Sequence, residues 1–359
     1  SRDASLDGMT FHVGVQLHPQ ATSYVEIRDA WRRAEELGVD SIWTWDHFFP
    51  LYGDPDEAHF EGWTILTAMA ADTERAKLGM LVTCNSYRNP ELLADMARTA
   101  DHVSGGRMYL GIGAGWFERD YSEYGYEFGT AINRLHKLRD DLPRLKARLG
   151  KLNPAPIGDL PILVGGSGEK VTLKLTAEHA DAWNSFGPPE TFAHKNAVVD
   201  RWCDELGRER SEIERSVLSS AEDGATADRY LEAGGSHLIV MTGHPCDLAP
   251  VDARVARRER VGPEVADESR ELLPQGQVVG QGALGPVQEG DVAVAHQRRG
   301  GPVARVQASG GRAPASGQAH PVGLDHPVVQ HLVQVLDAIG LPRLPGQVVE
   351  PVRILGQVV

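Results

Sequence analysis

The chain has 359 residues, with 36 Lys and Arg against 50 Asp and Glu, a net charge of −14; at about 100–200 residues per domain, this length suits one large domain or two small ones. An acidic surface argues against a nucleic-acid or anionic-membrane partner, and no run of about 18 apolar residues is present to span a bilayer. Residues 1–10 lack the apolar stretch of a signal peptide, and the three scattered cysteines, Cys84, Cys203 and Cys246, suit a reduced cytoplasmic protein better than a disulfide framework or a zinc site.

Short apolar runs alternate with amphipathic stretches from residue 11 to residue 248. FHVGVQL (11–17) reads as a buried parallel strand, because such strands are short and mostly apolar. The helix at 24–38 follows, with Val25, Ala30, Trp31, Ala34 and Leu37 at helical spacing and Gly38 as its stop. Strand 41–46, the helix around 63–71 and strand 77–84 come next. Asn89-Pro90 introduces helix 91–104 and Gly105-Gly106 closes it. Strand 107–115 precedes a long helix at 133–150. Strand 161–166 leads into helix 169–180, strand 182–187 into helix 191–207, and strand 213–220 into helix 226–234. The last strand is 236–243. Strands that return through helices form a parallel sheet. Eight such units in about 250 residues predict an α/β protein of the (β/α)8 TIM-barrel class; an open doubly wound sheet is the alternative.

Function on a barrel sits at the C-terminal ends of the strands. The most informative of these is ILVGGSGEKVTL (162–173), where a strand runs into Gly165, Gly166, Ser167 and Gly168 and a helix is expected at once. Glycines let backbone N–H groups approach an oxyanion, the helix N-terminus favours negative charge, and Ser167 adds a hydroxyl, so the motif suits a phosphate. The bland alternative is a tight turn with Ser167 as helix cap. It is no Walker loop, since the Gly-Lys-Ser/Thr ending is missing. In GIGAGWFE (111–118) a dinucleotide fingerprint would need glycine at 116, where the chain has Trp116. Gly113, Ala114 and Gly115 still allow a flat ring to lie against the backbone. WTWDHFFP (43–50) puts Asp46 and His47 at a strand end, suited to proton handling or to hydrogen-bonding a polar ring edge. No metal-ligand spacing accompanies them, and no metal is expected. Cys84, at the end of LVTC, reads as a packed residue rather than a nucleophile. His18 in QLHPQ is ambiguous between packing and the pocket wall.

Residues 9–250 resemble the luciferase-like monooxygenase superfamily, and within it the actinobacterial coenzyme F420-dependent oxidoreductases. The resemblance is carried by GVQLHPQ (14–20), SIWTWDHFFP (41–50), residues 81–107, residues 110–129 and residues 161–190. It implies a flavin or deazaflavin at the strand C-termini, with Asp46 and His47 as catalytic residues near the ring. Leu81, Val82, Thr83, Cys84 and Asn85 would form the bulge backing that ring, with a cis peptide at Leu81–Val82. Gly113, Ala114 and Gly115 would contact the cofactor backbone. Gly165, Gly166, Ser167 and Gly168 would hold its phosphate. His18 and Trp116 would line the substrate pocket. The implied activity is hydride transfer between F420 and a small organic molecule; an FMN-dependent monooxygenase and an inert cofactor-binding protein are the alternatives. The family's sugar-phosphate dehydrogenases carry a Glu where this chain has Trp116, which speaks against a sugar phosphate. A homodimer is compatible with the resemblance.

The composition breaks near residue 254. Every aromatic residue lies at or before Tyr230, and residues 254–359 contain no Phe, Trp, Tyr, Lys, Asn, Cys, Met or Thr. That stretch carries eleven Arg and ten acids, which leaves a net −15 on the first 253 residues. Domain boundaries are therefore expected at 9–253 for the barrel and 254–359 for a low-complexity tail. The family's last helix holds a stretch like Ala-Trp-Arg-Asp-Glu, and a one-frame shift of its GC-rich coding sequence gives Val-Ala-Arg-Arg, as found at 255–258. The tail thus reads as a frameshift product, with a disordered linker as the alternative, and the eighth helix is expected to be lost, impairing the enzyme. Met9 is the expected start.

Overall fold

The chain is described by a computed structural model, which covers residues 11–220, 227–243 and 246–261. Among these, nine strand segments occur: β1 (His12–Gln16), β2 (Ser41–Thr44), β3 (Lys77–Met80), β4 (Thr83–Cys84), β5 (Met108–Gly113), β6 (Ile162–Gly165), β7 (Ala182–Phe186), β8 (Glu214–Ser220) and β9 (His237–Met241). All pair in parallel. β1 lies between β2 and β9, with Gly14 opposite both Ser41 and Ile239. β3 and β4 both pair with β5, so they are two parts of one stave, interrupted at Leu81–Val82. Eight staves close into the (β/α)8 TIM barrel the sequence predicts. The Leu81–Val82 peptide is cis, as the resemblance implies.

The helices form because their caps and apolar faces agree. In α1 (Tyr24–Glu36), Ser23 and Glu26 make a reciprocal capping box, and Ile27, Ala30, Trp31 and Ala34 turn inward. α2 spans Gly62–Asp72. In α3 (Pro90–Ser104), the Asn89 side chain accepts from the Leu92 N–H, Pro90 opens the first turn, and Gly105 closes the helix at φ 72°. A short α4 (Glu118–Tyr124), not anticipated from sequence, precedes α5 (Ala131–Leu149). α6 begins only at Thr172 and ends at His179, with Val171 at its cap position. Neither an immediate helix after Gly168 nor a Ser167 cap is therefore present. α7 (Pro189–Leu206) and α8 (Ala227–Glu232) follow.

The last helix corrects the sequence expectation. α9 runs Ala249–Val261, across the boundary proposed at 253. Val251 and Val255, one turn apart, are buried in the same apolar cluster as Val13, Val15 and Trp31. Arg257 pairs with Asp228, and Arg258 pairs with Asp40 and donates to the Gly38 carbonyl at 3.2 Å. The helix expected to be lost thus packs on the barrel through residues on both sides of 253. The rest of the proposed tail lies outside the described residues.

Inside the staves, Trp43, Leu81, Leu163, Ala182 and Ile239 form a second apolar cluster. Toward the strand N-termini a polar network adjoins it. Trp43 Nε1 donates to Ser41 Oγ (2.7 Å), Ser41 Oγ meets His237 Nε2 (2.7 Å), and His237 Nδ1 meets Glu214 Oε1 (2.7 Å). Tyr109 OH completes it on Glu214 Oε2 at 2.9 Å. The residue types are those of a hydrolytic triad, but Ser41 is fully buried and already bonded to Trp43, so no substrate reaches it.

Close approach of β3 to β5 requires a glycine at position 111. A Cβ there would run into the Met80 carbonyl, which is backbone and cannot turn away. Gly111→Ala is expected to cost about 1–3 kcal/mol of overpacking strain, read as a lowered urea midpoint. An unchanged midpoint would show that the stave junction yields.

Candidate active site

The strand ends open to solvent on one face. The last residues of β6, β7, β8 and β9 (Gly165, Phe186, Ser220 and Met241) are half-buried, whereas Val164, Ser185, Ser219 and Val240 before them are buried. Val82, just past the cis bond, forms the floor beside this mouth. A Cβ on Gly113 or Gly165 would come within 2.7–2.8 Å of its methyl groups. The two glycines thus give Val82 its room.

His47 is the titratable side chain best placed at the mouth. Its Nδ1 lies 2.7 Å from Asp120 Oδ2. Asp120 is fully buried and accepts two more hydrogen bonds, from Tyr87 OH (2.9 Å) and from the Phe48 N–H (3.0 Å). The His47 ring stands edge-on to Trp45, Trp116 and Phe117 at 5.5–5.8 Å. Trp116 is 41% exposed. Behind Asp120, the rings of Phe48, Tyr87, Tyr121, Tyr126 and Phe128 pack together and fix α4.

Asp46, next in sequence, does something else. Both its oxygens bind Arg88 (2.6 and 2.9 Å), and Oδ2 also accepts from the Cys84 N–H at 3.0 Å. It is 1% exposed. Burial pushes its carboxyl up to about 6, while the Arg88 guanidinium and the Cys84 amide pull the other way. This carboxylate, expected near the ring, anchors the bulge: Oδ2 carries two of its three hydrogen bonds and Oδ1 one. Arg88 also reaches Glu61 at 2.8 Å.

His18, expected at the pocket wall, is also held from several sides. It is buried, stacks on Trp45 (centroids 4.0 Å apart) and has both nitrogens engaged. Tyr52 OH meets Nδ1, and Nε2 meets Gln16 Oε1 at 3.1 Å. Gln16 Nε2 in turn donates to the Leu81 carbonyl at 2.9 Å, so this chain holds the bulge at its cis bond. Burial, together with the nearby His47 and His59, pushes His18 down to about 3. A histidine neutral in the fold but free to titrate near 6.5 when unfolded withdraws stability as pH falls from about 6.5 toward 3. The His18 share is about 1.4 kcal/mol per pH unit within that window. His18→Phe keeps a ring for Trp45 and removes the titration. Its urea stability should therefore fall less steeply than that of the native protein between pH 6.5 and 4; equal slopes would exclude His18 as the cause.

The other bulge residues divide. The Asn85 amide donates to Asp141 of α5 at 3.0 Å, so it serves the helix packing. Cys84 Sγ sits 3.1 Å from Tyr121 OH, and burial raises its thiol to about 11, which fits the packed reading. Gly115 has φ 82°, and a Cβ there would strike Tyr121 and Cys84, so its glycine serves the aromatic cluster. At β6, Gly166 has φ 130°, which a side chain would resist. Ser167 Oγ lies 3.0 Å from Ser185 Oγ, at the end of the neighbouring stave. Glu169 is paired with Lys195 (2.7 Å) and His194 (2.9 Å).

Four residues escaped sequence reasoning: Asp120, Tyr87, Arg88 and Ser185. Tyr87 and Arg88 lie within residues 81–107 and Asp120 within residues 110–129, stretches that carry the resemblance, and Ser185 stands near the end of strand 182–187.

Fold and mouth define a (β/α)8 barrel with its chemistry-bearing side chains at the strand C-termini, where enzymes on this fold carry them. Within that class, the chain belongs to the luciferase-like monooxygenase family, which residues 9–271 match. Over 220 residues it is 26% identical to 4-hydroxyprotoasukamycin monooxygenase of Streptomyces nodosus subsp. asukaensis, covering 54% of this chain and 53% of that protein. Over 116 residues it is 32% identical to the F420-dependent glucose-6-phosphate dehydrogenase of Amycolatopsis mediterranei, covering 32% of this chain and 34% of that one. The matches thus span about half, and about a third, of those relatives. A solved F420-dependent secondary alcohol dehydrogenase superposes with a TM-score of 0.61 at 17% identity, over 69% of this chain and 98% of that one, which supports the barrel. Among the described residues, no helix is long and apolar enough to cross a membrane.

Proposed function

We propose that the protein is an oxidoreductase that transfers a hydride between coenzyme F420 and a small, neutral organic substrate at the barrel mouth. The observation that carries this reading is His47, held by a buried carboxylate at one nitrogen and bordered by Trp116 and Phe117 at the mouth. The F420-dependent relative supports the choice of cofactor.

The residues present fit such a group. Val82 over Gly113 and Gly165 offers an apolar floor for a flat ring. The Ser167 and Ser185 hydroxyls, beside a helix start with no side-chain cap, suit a phosphate. When bound, the deazaflavin supplies or accepts a hydride at a ring carbon and reacts poorly with oxygen. His47 Nε2 gives a proton to the substrate oxygen in reduction and takes it back in oxidation. Trp116 and Phe117 shield this exchange from water. Three arginines around the mouth are already engaged: Arg88 with Asp46, Arg119 with Asp56 and the Phe49 face, and Arg134 with the Gly115 and Phe128 carbonyls. Among the described residues, the partly buried Arg88 and Arg134 are thus committed to protein acceptors, which favours a neutral carbonyl or alcohol, in keeping with Trp116 where sugar-phosphate enzymes of the family carry Glu.

The monooxygenase relative favours a second reading, an FMN-dependent oxygenase on the same scaffold. Absorbance titration with F420 and with FMN separates the two. Tight F420 binding and anaerobic oxidation of reduced F420 by ketones are expected. FMN binding with substrate-dependent oxygen uptake would establish the second reading in its place.

A further inference from the structure

We propose that Asp120 is the positioning residue that sets the tautomer and direction of His47. This rests on the reading of His47 as the proton-exchanging group. Asp120 sits on α4, 73 residues from His47 in sequence, yet its Oδ2 lies 2.7 Å from Nδ1. Asp120 is fully buried and has no free acceptor capacity toward solvent. Tyr87 OH and the Phe48 N–H, both donors only in these contacts, hold the carboxylate in place from two other directions. An ionised carboxylate can only accept, so His47 must present Nδ1–H to it. The remaining nitrogen, Nε2, then faces the mouth beside Trp116 and Phe117, with a lone pair when the ring is neutral and a proton when it is charged.

The carboxylate has a second effect. When His47 takes a proton from an alcohol, its ring becomes cationic in a site walled by aromatic side chains. Asp120 offsets that charge at contact distance, and the Nδ1–H bond shortens the reach over which charge must be balanced. Neither effect requires Asp120 to gain or lose a proton. The Tyr87 hydroxyl supports the same task one step further out, and burial together with its neighbours Cys84 and Asp120 holds that phenol well above its ordinary value, so it stays a donor.

The direct test reads the ring itself. In protein labelled with 15N-histidine, long-range 1H–15N correlation assigns the neutral His47 tautomer without cofactor or substrate. The native protein is expected to show Nδ1–H. In Asp120→Asn, an amide N–H turns toward Nδ1, and the tautomer is expected to reverse to Nε2–H. With the reduced cofactor and a ketone, or the oxidised cofactor and an alcohol, this variant should lose about 100-fold in kcat while KM and the cofactor dissociation constant stay within about threefold; Asp120→Glu should recover part of the loss. A native His47 in the Nε2–H form overturns the proposal, and so does a reversed tautomer with unchanged kcat. Because the tautomer is read on the free protein, it stands or falls separately from the hydride-transfer reading. Should Asp120→Asn fail to fold, the native tautomer alone decides, and Tyr87→Phe, which leaves the Asp120–His47 contact intact, is expected to retain Nδ1–H.

Discussion

Arg88→Met is expected to destabilise the fold by about 3–5 kcal/mol at pH 8, the cost of leaving a buried carboxylate without its counter-ion. Asp46 is 1% exposed and receives two of its three hydrogen bonds from the Arg88 guanidinium; the Cys84 amide alone would remain. Methionine fills much of the volume of the arginine stem, so the loss reports on charge more than on packing. The pH dependence follows from Asp46. Its carboxyl is already raised to about 6 by burial, against an unfolded value near 3.8, and removing Arg88 raises it further. A carboxyl raised in the fold loses stability as pH rises above the unfolded value, because the native state is then the one that holds the proton. The Arg88→Met deficit should therefore shrink at pH 4–5 and grow toward pH 8, in urea unfolding followed by tryptophan fluorescence. Asp46→Asn combined with Arg88→Met should recover much of the loss at pH 8, since a neutral amide needs no counter-ion. If the double variant is no more stable than Arg88→Met alone, the deficit lies in packing and the ion-pair account fails.

Where local pattern decides, the sequence was legible. Most staves hold short buried runs of Val, Ile, Leu, Trp or glycine, as parallel strands covered on both faces commonly do. The caps of α3 could be read from Asn89, Pro90 and Gly105 because each acts on its own helix end. The third stave read as one strand from 77 to 84, and nothing local in those residues announced the break at Leu81–Val82; that came from the family resemblance. The start of α6 shifted because residues 169–171 form a turn before the helix. α9 was cut short at 253 by a change in composition, yet Val251 and Val255 continue one apolar stripe across it. The site shows the same limit more sharply. His47 stands in a recognisable strand end, while its partner Asp120 lies 73 residues away among other acidic residues, and Arg88 lies 42 residues from Asp46. Neither Glu118 nor Glu123 differs from Asp120 in local pattern. Only the barrel's closure brings α4 against the end of β2.

His47→Gln is expected to lower kcat by about 10²–10⁴-fold in both directions of the proposed reaction, the usual share of a positioned acid or base. The substitution retains a polar side chain of similar reach and lets an amide N–H satisfy Asp120, so the aromatic cluster behind it should hold. Two consequences distinguish lost proton exchange from lost structure. The cofactor dissociation constant should change little, because the Val82 floor and the Ser167–Ser185 hydroxyls belong to other staves. KM should also change little, because a neutral substrate held by Trp116 and Phe117 draws little ground-state binding from His47. The loss then falls on kcat and kcat/KM together, as for an interaction made in the transition state. A substrate that needs no proton at oxygen supplies the internal control. An activated alkene reduced at carbon should be far less affected by His47→Gln than a ketone, since its negative charge is delocalised onto a group distant from Nε2. Equal losses on ketone and alkene would point to a distorted mouth, and a His47→Gln enzyme retaining more than a tenth of native kcat on ketones would remove His47 from the chemistry.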